Sequence, residues 1–195
     1  MATLVSSDLE QAKKYFAATR SRIEAATRGL TEAQFAFRPT PANGEEGCWS
    51  IAEILDHLAT VHERVVGRVR ASLASAPAPE PGRDSQLIDS IVMDKIPDRG
   101  AGRFSAPEFI RPAGQRTPQE SLARIFQGLD ELEQFVESTP DLRGHVLESP
   151  PLKAVTGGVH TTLDGYQTAL IAAAHDQRHI RQIEEWKARP GYPGA

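Results

Sequence analysis

Two histidines stand four residues apart in the run Ala172-Ala173-Ala174-His175-Asp176-Gln177-Arg178-His179-Ile180. In a helix, at ~100° per residue, they lie ~40° apart on one face, one turn above the other. That spacing lets two imidazoles hold one metal ion. Ile171, Ile183 and Trp186 continue the same stripe, so both rings are expected to point into the protein. A lone inward histidine is usually a satisfied core residue. Two stacked on a core stripe each bring a polar nitrogen that needs a partner. The run therefore points to a site without naming a reaction.

A third histidine belongs with them. Ser50-Ile51-Ala52-Glu53 has the capping-box pattern that opens a helix, with apolar positions at Ile54, Leu58, Val61, Val65, Val69 and Leu73. His57 lies on that stripe, and His62 falls ~140° away, which predicts an edge or solvent position for it. If the two helices are neighbours, His57, His175 and His179 meet. Three neutral imidazoles plus water is the donor set of an open, catalytic-type metal site. Zinc fits best by ligand number, while nickel and iron also accept imidazole. Such a metal can polarise a carbonyl, lower the pKa of water, or hold a thiol as thiolate.

The residues around the trio carry two readings each. Glu53, one turn before His57, can orient a water as general base, or it simply closes the cap with Ser50. Gln182 can hydrogen-bond His179 from behind, or it is a polar residue on the helix flank. Tyr166 and Gln167 can line a pocket floor, or Tyr166 is an interior residue with its hydroxyl at a boundary. Cys48 precedes a helix N-terminus, but it has no sequence-adjacent base and reads as a buried inert thiol. His145 and His160 read as solvent-facing.

Competing chemistries lack their residues. A di-iron bundle needs inward glutamates and Glu-x-x-His on two helices, and the nearest approach is Glu53-x-x-x-His57. A zinc protease places glutamate where Asp176 stands. There is no Gly-x-Ser-x-Gly, P-loop or Gly-x-Gly-x-x-Gly.

Four long amphipathic helices are expected to position the trio. The first opens near Ser7 with Leu9, Ala12, Phe16, Ile23, Ala26 and Leu30 in phase, and Thr31 to Gln34 follows as a short capped turn. A Pro/Gly loop then runs to Gly47. The second helix carries His57. Residues 76–116, broken by prolines and glycines, form a long connection, either packed across the bundle to shape a pocket or loose on the surface, with a short helix around Leu87 to Val92. Thr117-Pro118-Gln119-Glu120 caps the third helix, whose core face is Leu122, Ile125, Phe126, Leu129, Leu132 and Val136. A second loop spans Asp141 to Gly158, and the fourth helix starts near Thr161. No strand pattern is evident. This predicts an all-α four-helix bundle, with residues 1–195 as a single domain.

Composition sets outer bounds. The 195-residue chain is 39% hydrophobic and 25% charged, with formal charge -4, which argues against a nucleic-acid partner. The arginines at 20, 22, 64, 68 and 70 are mixed with glutamates and read as solvated faces. One cysteine excludes an internal disulfide. No signal-like or membrane-spanning apolar stretch appears, so no membrane partner and a cytoplasmic location are expected.

With these residues in place, the chain resembles the DinB-like (DinB/YfiT) superfamily. The likeness rests on Trp49-Ser50-Ile51-Ala52-Glu53-Ile54-Leu55-Asp56-His57-Leu58, on His175-x-x-x-His179-x-x-Gln182-Ile183, and on the loops at Pro112 and Pro150-Pro151. It covers most of the chain. It implies an up-down-down-up order of the helices and a divalent metal held by His57, His175 and His179. Some members are S-transferases or isomerases that use a low-molecular-weight thiol, and others are metal-dependent hydrolases. The resemblance thus implies a small-molecule substrate and either thiol or water activation, with a non-catalytic, metal-stabilised binding or stress-response module as the alternative. Members often dimerise, which makes a homodimer an expectation here.

Overall fold

Capping residues and apolar periodicity account for most of the helices. The computed structural model describes residues 6–40, 48–73, 75–101 and 106–194. Residues 41–47 of the Pro/Gly loop, Gly102, and the side chains of Val65, Arg68 and Arg70 lie outside the described residues. The long helices are α1 (Ser6–Thr27), α3 (Ile51–Leu73), α5 (Pro118–Ser138) and α7 (Gly165–Lys187). Short helices are α2 (Glu32–Ala36), α4 (Ser85–Lys95) and α6 (Pro150–Val155). Thr31 and Gln34 cap α2 reciprocally, as Thr117 and Glu120 cap α5, with Pro118 at the first turn.

The four long helices bury their apolar faces against one another. α1 packs on α7 and α5, and α3 packs on the same two helices. Ala12, Phe16 and Ile23 of α1 meet Ile54 and Leu58 of α3, Ile125, Leu129 and Phe135 of α5, and Leu170, Ala173 and Ile183 of α7 in one core cluster. Each fully buried Leu, Ile or Phe contributes roughly 1.5–3 kcal/mol over exposure. Among the described residues no helix is long and apolar enough to cross a membrane.

Two local expectations are corrected. The fourth long helix starts at Gly165, not near Thr161. Asp164 takes its N-cap in a reciprocal box with Gln167, and the preceding residues are extended. They form β2 (Thr162–Asp164), which pairs antiparallel with β1 (Val146–Glu148), so the structure contains a short two-stranded sheet where no strand was expected. Three-residue strands carry too little alternation to show in a sequence.

The long connections are built into the fold. α4 packs on α7 and buries Ile88 and Val92. At that end Arg143 bridges Asp89 (2.8 Å), Asp164 (3.0 Å) and Asp8 (3.1 Å), joining α1, α4 and the start of α7. The buried carboxylates of Asp89 and Asp164 therefore keep a counter-charge, as burial requires. An open groove of about 480 Å³ runs between α1 and α4, beside Tyr15 and Met93. None of the three histidines lines it, so it is not the pocket of the trio.

Candidate metal centre

The pairing of α3 with α7 brings the trio together. His57 Nε2 lies 3.3 Å from His175 Nε2, and His179 Nε2 lies 3.2 Å from the same atom. All three ligand atoms fall within 4.8 Å of one another. Nitrogens on a tetrahedral zinc, at ~2.0–2.1 Å from the ion, sit roughly 3.3 Å apart. His57 is buried, whereas His175 and His179 are half-buried.

The far sides of the rings decide the tautomers. His57 Nδ1 lies 2.6 Å from the Ile110 carbonyl oxygen, which can only accept, so Nδ1 carries the proton and Nε2 is a bare lone pair. His179 Nδ1 lies 2.7 Å from Gln182 Oε1, the same arrangement. Lone pairs converging at this distance repel unless a cation or a proton stands between them. An acceptor on Nδ1 and a free Nε2 is the usual dress of a metal-binding imidazole. The donor set therefore fits a divalent cation. His175 Nδ1 is buried with no hydrogen-bond partner.

Burial holds all three rings neutral, as ligation requires. It pushes His57 below the ordinary imidazole value of 6.5. It pushes His175 and His179 well below it, and the neighbouring imidazoles add to the shift. Because these pKa values are depressed on folding, the unfolded chain binds more protons than the folded one below pH ~6.5. Their contribution to stability is complete above that pH and is lost as pH falls through and below it. Metal-free protein should therefore melt at progressively lower temperature as pH drops from about 7 to 5. A melting temperature that is flat or rising over that range, followed by circular dichroism, would contradict this assignment.

The structure sorts the remaining candidates. Glu53 closes the cap, accepting from Ser50 N at 2.6 Å, while its other oxygen accepts from Arg38 at 2.6 Å. Gln182 lies behind His179 as its hydrogen-bond partner. Tyr166 is fully buried and donates to the Asp8 carbonyl oxygen at 2.9 Å. Gln167 is buried in the α7 cap and donates to Asp89. Cys48 is half-buried, and so are His145 and His160. His145 Nδ1 donates to the Ala76 carbonyl oxygen at 2.6 Å, which ties the ring to the chain.

His62 requires the largest correction. It is 1% exposed, not at the edge, and its Nε2 lies 2.8 Å from Asp176 Oδ2 of α7. Room for the ring comes from Gly128 of α5, where an added Cβ would stand 2.3 Å from His62 Nδ1. α3 is covered by both α5 and α7, so its buried arc is wider than one stripe. Sequence reasoning also missed Trp49, whose ring lies 4.8 Å from His57 and 6.3 Å from His179 and walls the trio. Its carbonyl oxygen accepts from Trp186 Nε1 at 2.9 Å. The Trp49-Ser50 junction at a helix start was the available signal. Nothing local marked Ile110.

The family model described as the DinB superfamily matches residues 15–183. No curated protein matches the chain. Among solved structures, YfiT from Bacillus subtilis is similar, with a TM-score of 0.59 and 17% identity over 99% of this chain and 93% of that one. That protein is described as a probable metal-dependent hydrolase with an unusual four-helix bundle topology. At this identity the likeness speaks for the fold.

Proposed function

The chain belongs to the DinB superfamily, and on that premise we propose a metal-dependent enzyme in which His57, His175 and His179 hold one divalent cation. The observation that carries this reading is the convergence of three Nε2 atoms at 3.2–3.3 Å with an acceptor behind two of them. Zinc suits the spacing best, and nickel and iron share the donor preference. The chemistry such a cation supplies is Lewis acidity, which makes a thiol or a water nucleophilic near neutral pH.

The protein's own groups then have definable tasks. Ile110 and Gln182 keep the proton on Nδ1 of His57 and His179, and burial keeps the rings uncharged. Trp49 shields one side of the cluster. Transfer of a low-molecular-weight thiol is our first assignment, with hydrolysis second. The hydrolytic branch draws on Glu53 as base, a role that requires Arg38 to release its carboxylate oxygen. The substrate is a small molecule, and with a formal charge of -4 nucleic acid is not a partner. A second copy of this chain is the protein partner we assign, in line with the family's dimers.

We read residues 1–195 as one domain in an up-down-down-up order. Contacts at both ends support it. Tyr166 touches Asp8 and Lys187 touches Ala26, so α7 runs with α1. Lys13 meets Glu137, so α5 runs against α1. Trp186 meets Trp49, so α3 runs against α7.

The test is a turnover screen with zinc-, nickel- and iron-loaded protein and with chelated protein. It pairs electrophiles with several small thiols and runs ester and amide substrates in parallel. Metal-dependent turnover at least tenfold above the chelated control is expected in one arm. Metal retention with no turnover in any arm would move the protein to the non-catalytic, metal-stabilised module.

A further inference from the structure

The segment before α5 lies across α3 beside the trio, and one buried carboxylate holds it there. Asp56 is 1% exposed. Its Oδ2 accepts from the backbone N–H of both Ala113 and Gly114, at 2.9 Å each. Gly114 has φ +64, the left-handed conformation glycine tolerates. Successive amides turned toward one oxygen form an anion-binding nest. Asp56 Oδ1 accepts from Arg116 Nη1 at 2.9 Å, and the same guanidinium reaches Thr60 (3.2 Å) and Glu63 (2.7 Å). From the same helix, Arg64 donates to the Phe109 carbonyl oxygen at 2.7 Å. The carbonyl pinned between these anchors is Ile110, the acceptor for His57 Nδ1.

We propose that Asp56 is a positioning residue for the metal centre. It anchors residues 113–116 on α3 so that the Ile110 carbonyl stays on His57 Nδ1 and leaves Nε2 bare toward the cation. This rests on the metal reading above. The sequence neighbour of a ligand thus acts through a loop more than fifty residues away rather than on the cation itself. An acceptor that fixes a ligand's tautomer is worth roughly 10–100-fold in metal affinity. Asp56 acts one step further out, so the lower end of that range applies.

Two measurements on the full chain test it. The first is 15N NMR of the imidazoles in metal-free protein, which reads the His57 tautomer directly. The second is zinc affinity by competition with a chromogenic chelator. Asp56→Asn keeps the shape but loses the charge that gathers two amides and a guanidinium. It should convert His57 from one Nδ1–H form to a tautomer mixture and weaken zinc binding by about tenfold. Arg116→Gln should move both readings in the same direction by less, and Glu120→Gln, at the α5 cap, should move neither. A folded Asp56→Asn with the wild-type tautomer and wild-type zinc affinity overturns the proposal. If that variant does not fold, Arg116→Gln decides by the same two readings. If wild type binds no zinc, the metal reading fails, and the tautomer alone decides the clamp.

Discussion

Untagged wild-type protein should carry about one divalent ion per chain, and a His175→Ala/His179→Ala variant should carry none. The effect is large because the variant removes two of three donors from a cluster that has no substitute. Among the described residues, His57, His175 and His179 are the group of side chains able to surround an ion. Elemental mass spectrometry measures it directly, and affinity should fall by well over 100-fold, beyond what loss of an outer hydrogen bond costs. Binding also feeds into stability. At a free metal concentration of 100 times Kd the folded state gains about 2.7 kcal/mol. For a chain of this size that is a rise of roughly 5–11 °C in Tm, reversed by chelation. Absence of metal in wild type, even after incubation with zinc, nickel and iron, would leave three hydrogen-bonded core histidines and a structural bundle.

The second large effect is expected away from the ligands. His62→Ala should cost about 3 kcal/mol, because it leaves the Asp176 carboxylate buried without the imidazole it pairs with and opens a cavity. Both side chains are fully inaccessible, so solvent does not weaken the pair. The matching fall in Tm is roughly 6–12 °C. Gly128→Ala should destabilise in the same direction by overpacking the His62 ring, by about 1–3 kcal/mol. Urea unfolding of metal-free protein reads both. A loss under about 1 kcal/mol for His62→Ala would mean that the pair contributes little and that Asp176 finds another partner.

His62 and His57 mark the boundary of what the sequence conveys. His57, His175 and His179 were legible because a helix repeats every 3.6 residues, and three polar rings on apolar stripes stand out against that period. Asp56 and Thr60 carried no comparable signal, since a polar pair one turn apart is ordinary on any helix. The caps at Thr31, Ser50 and Thr117 were legible for a similar reason, since a cap is satisfied within four residues. Glu53 was legible only as two roles, and the Arg38 contact lay across a loop.

By itself, then, the sequence determined the four long helices, their main apolar stripes and the three candidate ligands, all set by neighbours within a turn or two. Tertiary structure alone decided that α3 lies beside α7, that Gly128 opens a slot for His62, and that Ile110 fixes a tautomer on His57. It also decided that residues 146–148 and 162–164 pair as strands. The physical reason is range. Helix periodicity and capping act between residues close along the chain, whereas shape complementarity and hydrogen bonds between distant segments depend on which faces meet. A one-dimensional pattern does not specify that meeting.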